Sequence, residues 1–140
     1  MTDAQKYLMQ VKLYDTHINN KLQELDRLKD MATKVTTSLS LVPGHGSGSQ
    51  DKLGDAIAKI IDLQAEVNQA IDAYVDKKRE VCNVIEKIQN PDQVAVLHKR
   101  YIQYKYWEQI ACEMNYTYRN VCYIHGRALQ SVEELLKGAK

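Results

Sequence analysis

The amino-acid sequence predicts an all-α protein: a long N-terminal antiparallel helical hairpin of coiled-coil type (residues 1–90), then a C-terminal three-helix unit with a helix-turn-helix (91–140). Three observations predict it. Apolar residues recur at alternating steps of three and four through two long stretches, the spacing of helices that pack along a seam. Pro43 and three glycines fall within six residues between those stretches, and Asn90-Pro91 closes the second. Beyond Pro91 short apolar segments alternate with turn residues, and six of the nine tyrosines lie between Tyr101 and Tyr123.

The first helix covers residues 3–40. Its seam is Ala4, Tyr7, Val11, Tyr14, Ile18, Lys21, Leu25, Leu28, Ala32 and Val35, widened by Leu8 and Leu22. At 1.5 Å per residue it would extend on the order of 55 Å. Val42 to Gln50 (VPGHGSGSQ) has the composition of a flexible loop. Asp51 can cap the second helix, whose seam is Leu53, Ile57, Ile60, Gln64, Val67, Ile71, Tyr74, Lys78, Val81, Ile85 and Ile88. That helix ends at Asn90, because the residue before proline is pushed out of helical geometry. Two long helices and a short connector fold back most simply as a hairpin. Lys21, Gln64 and Lys78 interrupt the seams. Such residues either set register or sit at the margin of a slightly rotated interface, and the second reading is preferred.

After Pro91 the pattern gives a short helix from Asp92 to about Tyr104, with Val94, Leu97, Tyr101 and Ile102 inward. A second runs from Trp107 to Met114 and a third from Tyr118 to about Lys137. Ile110, Ala111 and Met114 share a face, and Ala111 permits close helix approach. Asn115 tolerates the left-handed conformation that ends a helix, and Thr117 is a good N-cap. The resulting turn of about three residues has helix-turn-helix length.

Projection at about 100° per residue separates two faces of the third helix. Val121, Ile124, Ala128, Val132 and Leu135 cluster on one side. Arg119, Asn120, Tyr123, Arg127 and Gln130 cluster opposite, with no acid among them. Arg and Asn are the side chains that bond guanine and adenine bidentately in the major groove, and the start of a recognition helix is the part that reaches base edges. Tyr118 and Tyr123 can add phosphate or base contacts, whereas Tyr101 and Tyr104 suit packing. Gly126 beside the polar face either permits a close backbone approach or is merely tolerated.

Composition limits the alternatives. The 140 residues are 44% hydrophobic and 26% charged, as in a folded chain. No apolar run nears the roughly 18 residues of a membrane span, and MTDAQKYLMQ lacks a secretory pattern, so no membrane partner is expected. The net charge of +1 is uneven: from His98 to Arg127 five Lys/Arg face two Asp/Glu. That bias is mild beside the basic stripe of a protein that binds nucleic acid by charge alone. Three cysteines, Cys82, Cys112 and Cys122, form no CxxC pair, which predicts buried free thiols in a reducing cytoplasm. Cys122 and His125, with Cys112 and His98, are the obvious zinc candidates, but their spacing argues against a site. His125 reads as a packed imidazole. No phosphate loop or nucleophile–base pair is present, so neither an enzyme nor a cofactor is expected.

Glu108-Gln109-Ile110-Ala111, Met114-Asn115, Thr117, Val121, Ile124 and Arg127-Ala128-Leu129 together resemble the "EEIA..LG.S...V..I..RAL" run of bacterial sigma-factor region 4. Val96-Leu97-His98-Lys99-Arg100-Tyr101 resembles the "VL..RY" helix that precedes it. The match covers about 30 residues without a gap. With a helical arm and a short chain, the whole resembles the sigma-like phage regulators of the ArpU and RinA type, activators of late genes in Gram-positive phages and prophages. The resemblance implies binding of double-stranded DNA in the bacterial host cytoplasm. It places Tyr118, Arg119, Asn120 and Tyr123 on the DNA. Asn115 stands where the family has glycine, Tyr116 and Tyr118 replace smaller or charged residues, and no region 2 is recognisable, so a complete sigma factor is not implied.

The leading expectation is therefore a sequence-specific regulator with a recognition helix over 118–136. Thr117, Tyr118, Arg119, Asn120, Tyr123, Arg127 and Gln130 form its DNA face. The N-terminal helices would serve a homodimer or contact with host RNA polymerase. A phage DNA-packaging adaptor resembling a small terminase subunit is the second reading, distinguished by a ring-sized molar mass. A helical protein-interaction module without DNA binding is the third, distinguished by the absence of salt-dependent duplex binding.

Overall fold

The computed structural model of the protein describes the backbone of residues 1–41 and 47–138 and the side chains of 1–35 and 51–138. All regular structure among the described residues is helical: α1 (Asp3–Leu41), α2 (Ser47–Glu86), α3 (Pro91–Leu97), α4 (Trp107–Met114) and α5 (Tyr118–Gly138). The expected loop 42–50 lies in part outside the described residues. Its last four residues differ from expectation, because α2 already begins at Ser47. Asp51 is therefore inside the helix and not its cap. A lone Gly48 costs a helix only about 1 kcal/mol, far less of a barrier than proline.

α1 and α2 pack against each other, and the chain divides into two compact units. One comprises Met1–Asp15 with Tyr74–Lys140, the other Thr16–Ala73. In the first, Ala4, Leu8 and Val11 of α1, Val81 and Ile85 of α2 and Ile88 just past its end share one core with Leu97, Tyr101, Ile102, Ala128 and Val132. The Tyr7 hydroxyl donates to Glu80 across the helix pair at 2.7 Å, and Lys77 lies over the Tyr7 ring while bonding the same carboxylate. A second, smaller core joins Val96 of α3, Ile110 and Ala111 of α4 and Val121 of α5, edged by Trp107, Met114 and Ile124.

In the second unit Ile18, Leu25 and Val67 are buried, and Lys21 reaches Glu66 at 3.2 Å. Lys21 is thus half-buried at the margin, where an ion pair holds it. The α2 seam differs from the predicted one. Leu53, Ala56, Ile60, Leu63, Val67 and Ala70 turn inward, whereas Ile57 (46% exposed), Gln64 and Ile71 (39% exposed) face out, as does Leu22 of α1. Two heptads overlap on this helix. The alanine-containing one lets α1 come close, and the isoleucine-containing one drew the sequence-based seam.

The predicted helix 92–104 is two pieces. Asn90 caps α3, its Oδ1 accepting from the Asp92 and Gln93 backbone N–H groups at 2.9 and 3.2 Å. Past Leu97 the chain widens into a π turn, His98–Ile102, closed by the Gln103 N–H to the His98 carbonyl at 3.1 Å. The extra residue per turn brings the neighbours Tyr101 and Ile102 both into the core. Tyr104 then takes φ 60°, and the Lys105 N–H returns to the Lys99 carbonyl, which ends the segment sharply.

Candidate nucleic-acid interface

The turn between α4 and α5 is set by local chemistry. Asn115 is left-handed, with φ 58° and ψ 38°. Its N–H bonds the Cys112 carbonyl at 3.3 Å, and the Tyr116 N–H bonds the Ala111 carbonyl at 3.0 Å. This pair of bonds is the Schellman ending of a helix. Thr117 then caps α5, its Oγ1 accepting from the Asn120 N–H at 3.0 Å. Tyr116 ties the turn to the start of α3 by donating to Asp92 at 2.8 Å, and the carboxylate raises the Tyr116 phenol above its ordinary range. On the far side of the unit, Ser131 of α5 donates to Gln93 of α3 at 2.7 Å.

α5 is held by its apolar face: Val121, Ala128 and Val132 are fully buried, and Ile124 and Leu135 partly so. All seven predicted contact residues lie on the other side. Thr117, Tyr118, Arg119, Asn120, Tyr123, Arg127 and Gln130 are exposed, with Tyr118 at 51% and Tyr123 at 63%. The Arg127 guanidinium stands 6.0 Å over the Tyr123 ring. Gly126 has open space where a Cβ would be, so no neighbour within the chain requires a glycine there.

Lys99, Lys105 and Arg100, the cations between α3 and α4, are engaged within the chain. Glu113 binds both Lys99 and Lys105, at 2.7 and 2.6 Å, and these two ammonium groups hold its carboxyl below the usual range. Arg100 stacks on Trp107 at 4.5 Å and donates to the Lys105 carbonyl at 3.0 Å. His125 sits behind this pair. Its Nε2 is 2.7 Å from the Tyr101 hydroxyl, and Trp107 meets its ring edge-on at 4.5 Å. Burial, and then the Arg100 charge, lower its pKa from 6.5 to about 4. It is the packed imidazole expected from the sequence, and its surroundings keep it neutral. Tyr106, which sequence reasoning passed over, is 74% exposed at the start of α4. It lies between two predicted helices, so no apolar periodicity assigns it a side.

The cysteines depart from expectation. Cys82 is half-buried, whereas Cys112 and Cys122 are exposed, because each falls on the outward side of an amphipathic helix, α4 and α5 respectively. No group of three His, Cys, Asp or Glu side chains among the described residues is placed to hold a metal. No described helix is long and apolar enough to cross a membrane.

These features define an all-helical protein whose C-terminal helix pair, joined by a three-residue turn, presents a polar helix face without an acid from Arg119 to Gln130. The chain belongs to the family described as Protein of unknown function (DUF1492), whose model matches residues 37–133. No curated protein and no solved structure matches it.

Proposed function

We propose that the protein is a sequence-specific, non-catalytic DNA-binding regulator that inserts the N-terminal half of α5 into the major groove. The observation that carries this reading is the outward face of α5. Arg119, Asn120, Tyr123, Arg127 and Gln130 are all exposed, and none is an acid. None of these residues takes part in the unit's ion pairs among the described residues, which are Lys77–Glu80 and those of Glu113 with Lys99 and Lys105. A helix closing a bundle more often carries mixed charges outside. Here Arg119 and Asn120, side chains able to bond bases bidentately, stand at the helix start, where recognition helices reach base edges. In this reading the first-turn backbone N–H groups of α5, which have no acceptor within the helix, would bond a phosphate.

The resemblance to sigma-factor region 4 supports the same reading and adds a phage or prophage late-gene activator in a bacterial cytoplasm as its specific form. Contact with host RNA polymerase and self-association through the N-terminal helices belong to that form.

The test is Arg119→Ala against duplexes selected from a random pool by the wild-type protein. Loss of a bidentate base contact relaxes discrimination at one position by about 1–3 kcal/mol, and unfolding is unchanged because the side chain is solvated. Selection of no consensus, or identical affinity and preference in the variant, would defeat the proposal.

A further inference from the structure

The outward heptad of α2 has a symmetry that its inward one lacks. Within the Thr16–Ala73 unit it runs Ile61, Gln64, Asn68, Ile71, all exposed, with Ile61 open to 59% and Ile71 to 39%. The steps are three, four and three, so these are successive a and d positions of a coiled-coil seam. The order apolar, amide, amide, apolar reads the same in both directions. Ile61 lies five residues before Glu66 and Ile71 five after, and Gln64 and Asn68 lie two before and two after. In the sequence the pattern continues to Ile57 and Val75, nine residues either side.

An antiparallel coiled coil pairs an a position with a d position of the opposite helix. A twofold axis level with Glu66 does this throughout the seam. Ile61 meets Ile71 of the second copy, and Gln64 meets Asn68 of the second copy, each pair occurring twice. Apolar side chains then cover apolar ones, and the amides bond one another. One flank of the seam carries Ala58 and Ala65, both exposed, whose small side chains let a second helix approach. The other flank leads to the seam already filled by α1, about 90° around the helix at 100° per residue. Glu66 itself points away and is paired with Lys21, so its charge does not face its symmetry mate.

We infer that this face is a homodimer interface in which two copies of α2 pack antiparallel about a twofold axis at Glu66. A self-complementary patch is what an isologous interface requires. A parallel arrangement would place Ile61 against itself and stack like amides, with no use for the palindrome. A different protein partner would need no palindrome at all. The interface does not depend on the DNA-binding reading and is tested without DNA.

The test is molar mass by light scattering and sedimentation, with helicity and melting as folding controls. The full-length chain is expected as a dimer at micromolar to submillimolar concentrations. Ile61→Glu and Ile71→Lys, each alone, set an unpaired charge against an isoleucine of the second copy and should halve the mass without loss of helicity. The Ile61→Glu/Ile71→Lys double variant sets opposite charges face to face only in the antiparallel register and should restore the dimer. A monomeric wild-type chain, a dimer indifferent to both single substitutions, or a double variant that stays monomeric would each overturn the proposal.

Discussion

His125 shows how a single side chain acquires its state from packing. Its ring nitrogen is bonded to the Tyr101 hydroxyl, its edge meets Trp107, and Arg100 lies over that same indole. An imidazolium there would lose hydration and face a cation, so the ring stays neutral to about pH 4. The consequence for stability follows from proton counting. Between the ordinary 6.5 and about 4 the unfolded chain takes up a proton that the folded chain refuses, so stability falls as pH falls through that window. Above 6.5 the contribution is complete. Unfolding temperatures of wild type and His125→Gln, measured from pH 7 to 4, are expected to converge on acidification, because the glutamine does not titrate. Parallel curves would show that the ring is not held neutral. The sequence pointed to a packed imidazole from its place beside the apolar face. Arg100 as a contributor was not legible, since only the π turn brings it over Trp107.

At the scale of elements, the α4–α5 turn rests on two residues whose chemistry is local, and for that reason it could be read from the sequence. Asn115 was readable as a left-handed helix end and Thr117 as a cap, and both hold. Thr117→Ala should cost about 1 kcal/mol of stability. Asn115→Ala, which forces a Cβ-bearing residue without a local side-chain hydrogen bond into the left-handed region, should cost about 1–2 kcal/mol, whereas Asn115→Gly should cost nothing. Chemical denaturation of the three variants checks the set, and a harmless Asn115→Ala would contradict the φ of 58°. Gly126 gives a test of opposite sign. With open space at its Cβ position, Gly126→Ala should stabilise α5 by about 1 kcal/mol. If DNA backbone passes close there, duplex affinity falls even as stability rises. What could not be read were the features that depend on non-local choice. The π turn inserts a residue no periodicity announces, and the seam of α2 was assigned to Ile57, Gln64 and Ile71 because isoleucine outweighs alanine in a hydrophobic pattern. Packing decided otherwise, since Ala56 and Ala70 admit α1 where isoleucines would hold it away. The exposed Cys112 and Cys122 follow from the same limit: composition suggests burial, but only the fold assigns a side.

At the scale of the whole molecule, the proposed twofold interface and the proposed DNA-reading helix together constrain the target. Two copies joined through α2 carry two α5 helices, and a dimer that obeys one twofold axis throughout reads two half-sites as inverted repeats. Region 4 of a sigma factor, which the sequence resembles, acts as one reading unit and imposes no such symmetry, so the shape of the site separates the two arrangements. Footprinting with the wild-type chain should protect an inverted repeat. The dimer-disrupting Ile71→Lys should protect single half-sites only, and weakly. Salt dependence gives an independent measure, because log K falls with log salt in proportion to the phosphates neutralised. The slope of the disrupted chain should therefore be about half that of wild type. A wild-type dimer that protects a single asymmetric site would leave the α2 interface standing but break its link to recognition, since one copy's α5 would then be idle. Equal slopes for dimer and monomer would say the same by counting charges.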